Sequence, residues 1–194
     1  MSRPTTDPIE RASRLRREAD LVLQEVKLHE MLGIHGRVVP TGSYFLDLMI
    51  YPDIDVYLPS ISITEVFDIG EQLAQTDLVY QVVFEKSRTP ELPGGLYLKA
   101  RFDYGDWGRP WKIDIWSIEE AIIGAKMAEM QRFKEKMTRR LRERILRYKH
   151  SILTGENRTP TYSGYFICRA FIDEGMSNHQ EVTQYLLDHG IQMI

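Results

Sequence analysis

Apolar positions along the chain first recur at helical spacing. Ile9, Ala12, Leu15, Ala19, Val22 and Val26 return every three or four residues and so form one face of a helix. Asp7 and Pro8 precede them, a side-chain acceptor for the cap and a proline suited to the first turn. Gly33 marks the expected stop. Arg37 to Pro40 is a short strand candidate that runs into Thr41-Gly42-Ser43, and Tyr44 to Met49 reads as a short helix broken by Pro52. From Asp53 to Leu58 the period changes to two, which predicts a strand with one core face. Ser62 to Gln75 returns to helical spacing, with Val66, Ile69 and Leu73 on one side. Leu78–Phe84, Leu96–Phe102 and Trp111–Trp116 are β-rich, and Gly105, Gly108 and Pro110 join the last two as a hairpin.

After Ser117 only helical spacing remains. Glu119 to Ile152 is expected to form one long helix, with Met130, Phe133, Met137, Leu141, Ile145 and Tyr148 as its apolar stripe. Two more helices are predicted near Tyr162–Glu174 and Asn178–His189. This order predicts an α/β (α+β) fold, with a sheet flanked by helices and a helical C-terminal region. The expected division is an α/β domain over 1–118 and a helical domain over 119–194.

Composition narrows the class without naming a chemistry. The 194 residues are 43% hydrophobic and 27% charged, with 25 Lys+Arg against 28 Asp+Glu, as in an ordinary globular protein. One cysteine, Cys168, excludes an intramolecular disulfide and a thiolate-rich zinc site, and it is expected in the core of an apolar helix. No apolar run approaches the roughly 20 residues of a membrane span. The polar, Arg-rich stretch from Met1 to Arg17 lacks the apolar segment of a secretory signal, so a cytoplasmic protein is expected.

The chemistry-bearing residues cluster in the α/β part. Asp53 and Asp55 lie two apart on a strand and share a face, about 7 Å apart at the backbone. Ile54, Val56 and Leu58 take the other face. Two carboxylates so placed repel, and a hard divalent cation relieves that repulsion. In Trp111–Trp116 the same alternation puts Lys112, Asp114 and Trp116 on one face. If that strand neighbours the first, three carboxylates converge, enough to hold two magnesium ions. Thr41-Gly42-Ser43 stands between a strand and a helix, where glycine permits close backbone approach and free amides can meet phosphate oxygens.

A Gly-Ser turn, the nine residues Tyr44 to Pro52, Asp53-Ile54-Asp55, and a later strand aspartate in Lys112-Ile113-Asp114-Ile115 together resemble the nucleotidyltransferase superfamily, whose fold includes DNA polymerase beta. The resemblance spans roughly residues 20 to 118. It implies a nucleotidyltransferase-like mixed sheet and transfer of a nucleoside monophosphate from a triphosphate such as ATP to a hydroxyl acceptor, with release of pyrophosphate. Gly42 and Ser43 would bind the nucleotide phosphates, and Asp53, Asp55 and Asp114 would hold Mg2+ and carry catalysis, with Asp114 also helping to deprotonate the acceptor. One departure is the unusually apolar spacer: Phe45, Leu46, Leu48, Met49, Ile50 and Tyr51.

Charge is unevenly spread. Gln131 to His150 carries nine Lys and Arg against two Glu, a net of +7, within a chain of formal net charge −3. The favoured reading is a solvated helix face supported by Glu135–Arg139 and Glu143–Arg147 pairs, so a small-molecule acceptor is expected ahead of nucleic acid. His29, His35, His150, His179 and His189 lack metal-ligand spacing, and Trp107, Trp111 and Trp116 read chiefly as hairpin packing. The alternative from another class is a non-catalytic nucleotide-binding or interaction module, such as one half of a toxin–antitoxin-like pair.

Overall fold

Asp7 caps the first helix, its carboxylate accepting from the Ile9 amide at 3.1 Å, and Pro8 fills the first helical position. The computed structural model describes residues 7–192. Helix α1 (Pro8–Glu25) buries Ala12, Leu15, Ala19 and Val22 completely. The expected continuous helix to Gly33 is broken: Lys27 adopts a left-handed backbone (φ 49°), and α2 (Leu28–Gly33) starts afresh. The break carries Leu28 and Leu32 into the same cluster as Val26.

Strand β1 (Val39–Thr41) leads into a single turn, α3 (Gly42–Phe45), which begins two residues earlier than its apolar spacing suggests. Strand β2 (Asp53–Pro59) buries Ile54, Val56 and Leu58, as its period of two requires. Helix α4 (Ile63–Ala74) has a complete capping box. The Ser62 amide donates to the Glu65 carboxylate at 2.8 Å, and the Glu65 amide donates back to the Ser62 hydroxyl at 3.2 Å. Strands β3 (Val79–Lys86), β4 (Leu96–Phe102) and β5 (Trp111–Ile118) complete a five-stranded sheet of order β1-β2-β5-β4-β3. β2 and β5 run parallel and the other pairs antiparallel, so the predicted mixed α/β architecture forms.

The expected single helix over 119–152 is two. Helix α5 (Glu120–Lys136) ends where Met137 turns extended (ψ 95°), and α6 (Arg139–Ser151) starts under a Thr138 cap that accepts from the Leu141 amide at 3.2 Å. A threonine before the run Arg139-Arg140-Leu141 offers the new helix an acceptor, while in the interior of a longer helix its hydroxyl would compete with the backbone. Turned back at this point, α6 packs on α1 and on α7 (Ser163–Ile172), which α8 (His179–Asp188) covers. Among the described residues no helix is long and apolar enough to cross a membrane.

The core falls into two main clusters. One lies between the sheet and α1, α2 and α4. The other joins Phe133, Ile145, Leu146, Tyr148, Ile167, Cys168 and Phe171 of the later helices to Ala12 of α1 and to Leu46, Leu48 and Ile50. The apolar spacer thus has a packing role. Its alternate members dock the turn between β1 and β2 onto α6 and α7, while Met49 faces the sheet cluster.

Candidate functional site

The register of β2 with β5 assembles the acidic cluster. Asp55 pairs with Asp114 and Asp53 with Lys112, so the polar face of β2 meets the polar face of β5. One oxygen from each of Asp53, Asp55 and Asp114 lies within 4.8 Å of the others. The structure thereby brings together all three predicted carboxylates. Asp53 and Asp114 are only 8% and 7% exposed.

Burial makes that concentration of charge costly. It pushes the Asp53 carboxyl up to about 6, with Lys112 opposing and Asp114 reinforcing the rise. Burial, then Asp53 and Asp114, holds Asp55 well above the ordinary carboxylate range. Lys112 answers the cluster from within: its ammonium lies 3.2 Å from Asp53 Oδ1 and 2.5 Å from Asp114 Oδ2. Burial opposes the Lys112 charge, but Asp53 and Asp114 outweigh it and raise the ammonium above its usual range. The Tyr97 hydroxyl donates to Asp114 Oδ1 at 2.6 Å. Asp53 Oδ1 nevertheless remains buried without a hydrogen bond, since the nearby ammonium is not aligned to donate to it. Hard oxygen donors, mutual repulsion and an unsatisfied buried carboxylate oxygen fit a divalent cation such as magnesium.

Gly42 closes over this cluster from the start of α3, directly after β1. Its φ of +61° is left-handed, and a Cβ there would run into the Asp55 carboxylate. Glycine is therefore required twice, by the turn and by the approach. Gly42→Ala is expected to cost about 1–3 kcal/mol and to displace Asp55. A thermal-melt comparison with wild type checks the first effect, and a melt as stable as wild type would exclude the clash.

Ser43 is held by a residue that sequence reasoning missed. Lys149 of α6, only 2% exposed, donates to Ser43 Oγ at 2.8 Å and to the Leu48 carbonyl at 2.6 Å. Burial pulls its ammonium down to about 8, against the attraction of the carboxylates Asp53 and Asp55. A signal was present: Lys149 stands four residues after buried Ile145, on the face that enters the core.

The rest of the basic segment also departs from a purely solvated face. Arg142 donates to the Asp47 carbonyl at 2.9 Å, Arg144 to the Met176 carbonyl at 2.8 Å, and Arg132 pairs with Asp173. Glu135 and Arg139 do not pair among the described residues, because the Met137 break separates them. Glu143 pairs backward with exposed Arg139 at 3.0 Å instead of forward with Arg147.

The carboxylates, Gly42 and Ser43 line one open cleft of about 1300 Å³, together with Lys112, Lys149, Tyr97 and Trp116. Trp116 packs against Tyr97 with ring centroids 4.6 Å apart and planes tilted by 31°. Trp111 is fully buried and Trp107 nearly so, packing as expected of the hairpin.

No protein-family model and no curated protein matches the sequence. Among solved structures, the chain is similar to the Cid1 poly(U) polymerase with Mg 3′-dATP bound, at 16% identity and a TM-score of 0.50, over 71% of this chain and 42% of that one. It is also similar to Cid1 in complex with the UTP analog UMPNPP, at 15% identity and a TM-score of 0.47, over 78% and 46% of the two chains. For the non-canonical poly(A) polymerase complex GLD-2–GLD-3 the identity is 14% and the TM-score 0.49, over 90% and 56%. The chain spans less than two thirds of the length of each of these structures. The likeness to the first shows a shared fold.

Proposed function

We propose that this chain, which has a nucleotidyltransferase-like fold, transfers a nucleoside monophosphate from a nucleoside triphosphate to an acceptor hydroxyl. The observation that carries the reading is the convergence of Asp53, Asp55 and Asp114 in a cleft beside the Gly42-Ser43 turn. In the reaction, the acceptor oxygen forms a bond to the α-phosphorus as the bond to pyrophosphate breaks. The hydroxyl proton passes to Asp114, which Tyr97 holds in place. Ser43 and the free amides of α3 receive the terminal phosphates. With only one turn of helix, these groups act as hydrogen-bond donors more than as the end of a macrodipole. Asp53, Asp55 and Asp114 would hold magnesium, two ions in the complete site, and bound magnesium supplies charge neutralisation at the phosphates.

For the acceptor, the first reading is a small molecule, because Arg132, Arg142 and Arg144 are already engaged within the chain. A polynucleotide acceptor is the second, supported by the fold shared with a poly(U) polymerase and by Arg139 standing exposed. A cytoplasmic setting suits the buried free thiol of Cys168.

Pyrophosphate release with magnesium and each of the four triphosphates, in parallel with small hydroxyl compounds and with an RNA oligonucleotide, tests all of this. Release with one acceptor class assigns it. No release with any mixture and no metal-dependent triphosphate binding would leave a non-catalytic interaction module as the better account.

A further inference from the structure

Lys112 stands where a bound cation would have to come. It faces Asp53 directly across the β2–β5 ladder and precedes Asp114 by two residues on the same face, so the register itself aims its stem at the cluster. Both oxygens of Asp114 are engaged, Oδ1 by the Tyr97 hydroxyl and Oδ2 by the Lys112 ammonium. The same ammonium is 3.2 Å from Asp53 Oδ1. A magnesium ion needs its oxygen ligands at about 2.1 Å, so an ion taking Asp53 Oδ1 and Asp114 Oδ2 would fall in the space that Nζ fills. Two cations do not share such a space, and one of the two donors on Asp114 must give way.

Of those donors, Lys112 is the one built to move. Its ammonium rides on a flexible four-carbon stem, and its side chain is 22% exposed to the cleft. Tyr97 is held by ring contact with Trp116, centroids 4.6 Å apart and planes tilted by 31°.

We propose that Lys112 is a built-in counter-ion that competes with the divalent cation for Asp53 and Asp114, and that it couples cation binding to nucleotide binding. This rests on the reading of the carboxylates as a metal site. A cation arriving alone must expel the ammonium from its close pairs with Asp53 and Asp114, with nothing in return. A cation arriving with a triphosphate brings phosphate oxygens that take up the released ammonium. Each ligand then strengthens the other by the same factor.

The test is calorimetric titration of manganese into the whole chain, without nucleotide and with a non-hydrolysable triphosphate. Lys112→Met and Lys112→Gln are compared with wild type, the glutamine variant keeping a polar group if methionine disturbs folding. Both variants are expected to bind manganese alone about tenfold more tightly than wild type. The triphosphate is expected to tighten manganese binding about tenfold in wild type and far less in the variants. Equal or weaker manganese binding by the variants overturns the counter-ion role and leaves the metal site standing, provided Asp114→Asn abolishes binding. Absence of manganese binding in every form overturns both.

Discussion

Asp55→Asn is expected to raise thermal stability while eliminating turnover. Burial and the charges of Asp53 and Asp114 hold the Asp55 carboxyl well above its ordinary value, so near pH 7 its ionised form costs the folded state more than the unfolded one. Asparagine keeps the shape and removes the charge. The gain appears as a higher melting temperature than wild type at pH 7. The sign with pH follows. The folded chain takes up protons on Asp53 and Asp55 before the unfolded chain does. As pH falls from neutrality toward 3.8, the contribution of these groups therefore becomes less unfavourable, and below 3.8 the cost is gone. Between 3.8 and about 6 Asp53 alone makes the wild type lose stability as pH rises. The variant should show a shallower dependence in melts taken across that range. Magnesium should stabilise wild type and leave the variant nearly unchanged, since only a ligand that binds the folded state shifts the melt. A variant that melts below wild type at pH 7, or that retains turnover, contradicts the assignment.

Lys149→Ala is expected to be the most destabilising substitution around the cleft, at about 3 kcal/mol and on the order of 10 °C in melting temperature. It empties the space of a buried stem and strips the Leu48 carbonyl and Ser43 hydroxyl of a charged donor in a nearly water-free position. Lys149→Met should cost much less, because it fills the space and also removes a buried charge. The pH dependence separates the two effects. The folded ammonium titrates at about 8 and the unfolded one at 10.5, so the unfolded chain binds more protons between those values and stability rises with pH across them. Both variants should lack that rise. Both should also bind triphosphate about tenfold more weakly with Ser43 unanchored. Chemical denaturation at pH 7 and pH 10 checks the first claims and nucleotide titration the last. Triphosphate binding equal to wild type would detach Lys149 from the phosphate end of the cleft.

The acidic cluster was legible because its logic is local. Strand parity alone puts Asp53 and Asp55 on one face and Ile54, Val56 and Leu58 on the other, and parity again puts Lys112 beside Asp114. That the two strands are neighbours came only from the resemblance and the fold. The ion pair between Lys112 and Asp53 depends on their register, which a single strand does not encode. Helix breaks were less legible, for different reasons. Thr138 carries a cap chemistry that could have been weighed against the unbroken apolar stripe. Lys27 carries none: a lysine in the left-handed region is imposed by the packing of Val26 and Leu28 on either side of the turn. Lys149 was hidden by composition. In a segment with nine basic residues it reads as one more exposed cation, and its burial arises from contacts with Ser43 and Leu48 about a hundred positions away.

The docked spacer between α3 and β2 bears on how the protein can be divided. Leu46, Leu48 and Ile50 reach into the helical cluster, and Arg11 of α1 donates to the Ile50 carbonyl at 2.6 Å. The loop that bears Ser43 is thus riveted from both sides. A fragment ending at residue 118 would keep its sheet and all three aspartates, yet would open the underside of its own phosphate turn to water. The cleft and the helices behind it therefore have to be transplanted, truncated or redesigned as one piece.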